Sequence, residues 1–128
     1  MNIKSYKELI AYTKGYELVK DIYKITKSFP REEVYGITTQ LRRAAVSIPS
    51  NIAEGYMRGH KEYIQFLKIA LGSCAEMETQ LSLSKDFGFF NTSDFTKLYD
   101  LNTEIMKLLT VYIARLTNRY TLNAKTRS

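Results

Sequence analysis

The sequence predicts an all-α protein: an antiparallel, up-down-up-down four-helix bundle. Three observations carry that expectation. Apolar residues recur every three or four positions through four stretches of about 25 residues each. Only six glycines and two prolines punctuate the 128 residues, so the elements are few and long. No stretch alternates apolar and polar residues as a half-buried strand does. Helices of this length measure about 38 Å, and equal lengths with short connections make neighbours antiparallel.

The first helix is expected from Ser5 to Ser28. Ser5 suits the N-cap, and Glu8 three positions on completes a capping box. Leu9, Tyr12, Tyr16, Val19, Tyr23 and Thr26 form one apolar stripe. Leu18, Ile22, Ile25 and Phe29 form a second stripe beside it. Two stripes exceed what a closed monomeric bundle needs, which points to an oligomer. Phe29-Pro30 ends the helix, because the residue before a proline disfavours helical backbone.

Pro30 suits the first turn of the second helix, with Glu32 and Glu33 near its positive end. Val34, Ile37, Leu41, Ala44, Ala45, Ile48 and Ile52 keep the apolar phase to about Gly55. Pro49 falls inside that run and predicts a kink rather than an end, since Ile52 stays in phase. Ala44, Ala45 and Ser47 allow close approach of a neighbour. Asn51 and Glu54, polar and a turn apart, are read as a buried hydrogen-bonded pair holding the kink. Gly55 to Gly59 reads as the turn.

The third helix is expected over His60–Phe87, facing inward with Tyr63, Phe66, Leu67, Ala70, Cys74, Met77, Leu81 and Ser84. Gly88 suits the position just past its end. The fourth is expected over Thr92–Arg119, capped by Asn91, Thr92 or Ser93, with Phe95, Leu98, Asn102, Ile105, Leu109, Tyr112 and Leu116 inward. The expected organisation is a bundle domain over residues 1–120 and a flexible basic tail over 121–128.

Composition narrows function by exclusion. A single cysteine, Cys74, excludes a disulfide framework within the chain and a cysteine-based zinc site. A single histidine, His60, excludes multi-histidine metal sites. The Glu-x-x-His motif of di-metal bundles is absent, because Met57 stands three residues before His60. No apolar run approaches the ~18 residues of a membrane span, and no apolar leader follows Met1. The expectation is a soluble cytoplasmic protein with no membrane partner, no cofactor and no metal. Ser82-x-x-Lys85 matches the Ser-x-x-Lys pattern of some hydrolases. It lacks companion motifs and reads as a core-edge serine and a surface lysine, so no enzyme is expected.

Nineteen Lys and Arg against thirteen Asp and Glu give a net charge of +6, which suits an anionic partner. Arg42 and Arg43 fall mid-helix two. Arg58, His60 and Lys61 cluster at the second turn. No acid follows Glu104, while Lys107, Arg115, Arg119, Lys125 and Arg127 do. These residues are candidates for phosphate contact; the competing readings are a solvated face and, for Arg42 or Arg43, pairing with Glu54 or Glu76. Among ten tyrosines, Tyr12, Tyr16, Tyr23, Tyr63 and Tyr112 follow core spacing, whereas Tyr35, Tyr56 and Tyr99 fit it less well and suit an interface.

The stretch QLRRAAVSIPSNIAEGYMR over residues 40–58 closely resembles the signature of one bacterial family. Its members are encoded within intervening sequences of large-subunit ribosomal RNA genes and are also described as S23-like ribosomal proteins. Glu62 to Leu67, Ala70 to Ser73 and Glu76 to Leu81 continue the resemblance, and Ala11 to Pro30 is similar to the family's first helix. The likeness weakens after Asn91. It implies a four-helix bundle assembling as a homopentamer. It further implies a relation to the accessory variability protein of diversity-generating retroelements, a basic pentamer that binds a reverse transcriptase and nucleic acid. RNA, DNA, a reverse transcriptase or a ribosomal component are the partners so implied. No catalytic residue carries over. Arg42, Arg43 and Arg58 match basic positions of the motif, and Pro49, Asn51, Glu54 and Gly55 its structural core. The reading that follows is a non-enzymatic, oligomeric basic scaffold for RNA or a ribonucleoprotein partner. Its rival is an assembly module whose charge is incidental.

Overall fold

The computed structural model describes residues 5–126, with side chains up to Arg119. Four helices run α1 Ile10–Thr26, α2 Ile37–Tyr56, α3 His60–Asp86 and α4 Thr92–Thr126. Cross-helix contacts fix their directions. Gly15 lies against Ile48 and Pro49, while Arg42 reaches back to Thr26, so α1 and α2 are antiparallel. Gly55 meets Tyr63 and Phe66, and Ser47 meets Ser73, which sets α2 against α3. Asn102 bonds the Cys74 carbonyl, and His60 lies at Leu116. Lys14–Glu104 at 3.0 Å and Asp21–Lys97 at 3.7 Å close α4 back onto α1. The result is the up-down-up-down bundle that the apolar spacing predicts.

The core is a column of aliphatic side chains from all four helices, including Leu18, Ile22, Leu41, Ile48, Leu67, Met77, Leu98 and Ile105. Among the described residues, two polar side chains are fully buried, Ser84 and Asn102. Asn102 Nδ2 donates to the Cys74 carbonyl at 2.9 Å, which pins α4 against α3 at one register.

Local chemistry explains the ends. At the close of α3, Gly88 takes φ 76°, a setting that only glycine adopts without a Cβ penalty. Phe89 N–H donates to Ser84 O and Gly88 N–H to Lys85 O, both at 2.9 Å, so the orphan carbonyls are met in the Schellman pattern. The Asn91 side chain accepts from Asp94 N–H at 2.8 Å and caps α4.

Four expectations are corrected. Ser5 does cap, but it caps a 3-10 turn over Tyr6–Glu8; Leu9 is extended and buried, and α1 begins only at Ile10. Pro30 likewise opens a 3-10 turn, Arg31–Glu33, and α2 starts after Gly36, whose φ −110°, ψ −119° lie outside both helical and extended backbone. Gly55 is not in the turn but inside α2, at its closest approach to α3. Finally, α4 does not stop at Arg119 but continues to Thr126, because neither glycine nor proline follows Gly88 to end it. Part of the segment expected as a tail is thus helical; Arg127 and Ser128 lie outside the described residues.

The second stripe of α1 faces inward, together with Leu9 and Thr26 at the two ends of the first. Gly15, Leu18, Ile22 and Thr26 are buried, while Tyr16 is 54% and Tyr23 41% exposed. A Cβ at Gly15 would lie 3.2 Å from Ile48 Cγ2 and 3.4 Å from Pro49 Cδ. Only the narrow stripe fits so close to α2; the tyrosine stripe is too bulky and turns outward.

A Cβ on Gly55 would fall 2.6 Å from Phe66 Cβ and 3.1 Å from Tyr63 Cδ1, so α2 and α3 must part to admit it. Gly55→Ala is therefore expected to lose about 1–3 kcal/mol of stability despite the better helix propensity of alanine. Urea unfolding followed by circular dichroism measures this; an unchanged or raised midpoint contradicts the close-approach account.

Candidate functional site

The fold unites two basic groups that lie far apart in sequence. The α2–α3 turn, residues 57–59, sits beside α4 near Leu116, because His60 Nε2 lies 3.2 Å from the Leu116 carbonyl. A carbonyl oxygen only accepts, so that ring nitrogen carries the hydrogen. Arg58 and Lys61 at the turn therefore share one end of the bundle with Arg115 and Arg119, and all four are exposed. From Leu116 to Thr126, α4 runs on for about 15 Å, carrying Arg119 beyond the level of the turn. The Lys125 side chain and all of Arg127 lie outside what is described.

Acids are interspersed with these cations: Glu54, Glu62 and Glu8, the last lining the same groove as Arg115. Arg58 donates to Glu54 at 2.8 Å and stacks 4.8 Å over the Phe66 ring. Both partners of that ion pair are more than half exposed, so it stabilises little and competes weakly with an incoming phosphate. The Glu62 carboxylate folds back against Gly59 at the positive end of α3. Lys107 stands further along α4, on a 490 Å³ groove between α1 and α4 whose floor includes Leu9, Leu67 and Tyr112.

Arg42 and Arg43 are not part of this cluster. Arg43 lies about 22 Å from Arg58 along the axis of α2. Arg42 is half-buried: its Nε donates to Thr26 Oγ1 at 3.0 Å and its guanidinium lies 4.6 Å over the Tyr23 ring. It pairs with neither Glu54 nor Glu76, and its chemistry there is packing between α1 and α2.

The motif around Pro49 is structural, although its partners differ from those expected. Helix α2 is continuous through Pro49. Asn51 does not pair with Glu54, which is exposed and holds Arg58. Instead Asn51 Nδ2 donates to the Ser47 carbonyl at 2.8 Å and to Ser47 Oγ at 2.9 Å. Ser47 Oγ lies 2.8 Å from Ser73 Oγ, which bonds the Ile69 carbonyl at 3.2 Å. Each hydroxyl has one hydrogen, so the chain has one direction: Asn51 to Ser47 to Ser73 to Ile69. This ladder ties α2 to α3 through residues that flank the proline on either side. Ser73 carries no sequence signal of the role beyond being a small polar residue on an inward phase.

The catalytic candidates do not converge. Ser82 Oγ donates to the Glu78 carbonyl at 2.9 Å, while Lys85 Nζ sits 4.6 Å over the Phe95 ring. The pair therefore does not form a nucleophile and base. Cys74 is fully buried, and burial pushes its thiol up to about 12. Burial and the neighbouring Tyr112 likewise hold the Tyr63 phenol protonated well above its usual range. Tyr56 and Tyr99 are half-buried in ring contacts, with Tyr63 at 5.8 Å and Phe95 at 5.2 Å, whereas Tyr35 is 94% exposed. Among the described residues no helix is long and apolar enough to cross a membrane, and no three metal-binding side chains gather.

The family model for the 23S rRNA-intervening sequence protein matches residues 7–111. A solved structure from Bacteroides thetaiotaomicron, described as a protein of unknown function from the S23 ribosomal protein family, superposes with a TM-score of 0.76 at 26% identity. The likeness covers 82% of this chain and 96% of that one. A search of curated proteins returned no match.

Two outcomes test the local chemistry. Cys74 should resist a thiol reagent at pH 8 in the folded protein and react as one equivalent in guanidinium chloride, because only the thiolate attacks. Rapid native labelling contradicts its burial. Asn51→Ala should cost about 1–2 kcal/mol in urea unfolding, since it removes the hydrogen bonds donated to the Ser47 carbonyl and hydroxyl; Glu54→Gln, at an exposed pair, should shift stability by less than about 0.5 kcal/mol.

Proposed function

We propose that this chain, which belongs to the 23S rRNA-intervening sequence protein family, is a non-enzymatic, oligomeric scaffold that binds RNA through the basic end of its bundle. The observation that carries this reading is the convergence of Arg58 and Lys61 at the α2–α3 turn with Arg115 and Arg119 on the projecting α4. Exposed, mobile-headed cations at a helix end suit phosphate oxygens and give little purchase on base edges. Binding is therefore read as sequence-tolerant, extending to DNA and to the RNA of a ribonucleoprotein partner.

Oligomerisation strengthens the field. Each chain contributes +6, so a pentamer of the kind the family resemblance implies carries +30 by formal count. The outward tyrosine stripe of α1 supports self-association, since it leaves apolar rings in solvent that a monomer gains nothing by exposing.

The test is fluorescence anisotropy with a labelled RNA hairpin over a potassium chloride series. Log affinity should fall with log salt by roughly 0.7–0.9 per phosphate neutralised. Replacing Arg58, Lys61, Arg115 and Arg119 with Gln should weaken binding about tenfold or more and flatten that slope. Arg42→Gln with Arg43→Gln should do less to binding and more to stability, because Arg42 is engaged between helices. Absence of binding to any polyanion at low salt overturns the RNA reading and leaves a protein-only assembly module.

A further inference from the structure

The α3 helix carries an exposed stripe that the single chain does not explain. Ile69 is 50% and Leu83 42% exposed, and Gly72 lies between them on the same side. Gly15 and Gly55 are required by close helix approach, but a Cβ at Gly72 would meet nothing within 4 Å. A mid-helix glycine with open space above it weakens its own helix and contributes nothing to the chain that holds it. Glu76, one turn on, has no ion-pair partner among the described residues. The stripe sits beside Phe66 and Ser73, the residues that meet α2, so it belongs to the face that α2 and α3 form together.

The neighbouring face, between α1 and α2, has the opposite character. A groove of 370 Å³ is lined by Tyr12, Tyr16, Val19, Lys20 and Pro49 among others. Lys20 lies 5.6 Å over the Tyr16 ring and has no ion-pair partner among the described residues.

The contacts already described place the two faces in register. Gly15 lies against Pro49, and Ser47 against Ser73, so Tyr16, Pro49 and Gly72 stand at one height along the bundle. One turn toward the α1 C-terminus, Lys20 is level with Glu76. One turn the other way, Tyr12 is level with Ile69. Copies related by rotation about an axis parallel to the bundle keep their heights. Such a rotation would set Ile69 against Tyr12, the gap at Gly72 against the Tyr16 ring, and Glu76 against Lys20.

We infer that the occupant of the α1–α2 groove is the α3 stripe Ile69–Gly72–Glu76 of a second copy of this chain, in a head-to-tail contact. The inference rests on the oligomeric reading above and supplies its surfaces. Apolar meets apolar, a ring fills the space that glycine leaves, and the unpaired carboxylate meets the unpaired ammonium. The two faces adjoin at a corner of the bundle and are turned by about a right angle. A heterologous contact repeated through that turn closes after about four to six copies instead of growing a straight filament.

Sedimentation velocity of the full chain over a concentration series provides the test. Wild type should sediment as a closed oligomer. Gly72→Arg should weaken association about tenfold or more while keeping native helicity, since its Cβ points into open space and arginine favours helix. Lys20→Glu and Glu76→Lys should each weaken association, and the double variant should recover it. An oligomeric wild type that none of these variants alters, or a double variant no better than the singles, overturns the assigned faces and leaves the oligomeric reading standing. A wild type that stays monomeric throughout overturns both, and RNA binding is then judged on the anisotropy measurement alone.

Discussion

The structure turns on how closely α2 lies to the helices on either side of it. Gly15 admits α2 from one side and Gly55 admits α3 on the other, both along the C-terminal half of α2. Ala44 and Ala45, both buried, keep the middle narrow. Pro49 sits against Gly15, where the missing side chain makes room for its ring. Close approach brings backbone polar groups near one another, and the Asn51–Ser47–Ser73 ladder spans the α2–α3 gap with directed hydrogen bonds. A hydrophobic contact tolerates sliding; a glycine notch and a hydrogen-bond ladder do not. The heights of α1, α2 and α3 are therefore set relative to one another within about a residue.

That constraint decides what is left for the surface. A helix whose core face must contain Gly15 cannot also bury its tyrosines, so the broad aromatic stripe of α1 is displaced outward. Arg42 is drawn against α1, where Thr26 and Tyr23, one turn apart, both engage it. Two basic residues adjacent in sequence thus have different environments: Arg42 works within the fold, and Arg43 faces solvent. At the other end of α2 the close approach finishes at Gly55, and the turn that follows carries Arg58 and Lys61 toward α4. The basic end is a consequence of where the tight packing stops.

These relations explain what could be read from sequence. Spacing located all four helices, and Gly88 and Asn91 marked their punctuation, because caps act over a few residues and their chemistry is local. Pro49 was readable as an interruption without an end, since Ile52 kept the phase. The α1 core face was not readable, because both stripes are apolar and the choice depends on α2. Tyrosine adds to the ambiguity: its ring satisfies a core and its hydroxyl satisfies a surface. Gly55 looked like a turn residue because a close approach and a turn place the same demand on sequence. Asn51 and Glu54, a turn apart, looked like partners, yet Ser47 and Arg58 stand equally near each and geometry chose them. The candidate site suffered most. Arg58 and Arg115 are separated by most of two helices in sequence, and only the antiparallel return of α4 places them together.

A cyclic assembly through the α1–α2 and α2–α3 faces would leave α4 clear of the contacts. Rotation without translation keeps equivalent ends at one height, so every projecting α4 would emerge on the same rim. Arg115 and Arg119 of all copies would then repel one another there, over distances comparable with the screening length of about 10 Å at 0.1 M salt. Such repulsion opposes closure, and a polyanion laid along the rim removes it. RNA bound across several copies would thereby stabilise the assembly, and by linkage the assembled ring would bind RNA more tightly than its separate chains do. Charge and association are in that sense one equilibrium. In such an assembly the apolar faces would supply the attraction between copies, and the basic rim would set a cost that a phosphate backbone is chemically suited to offset.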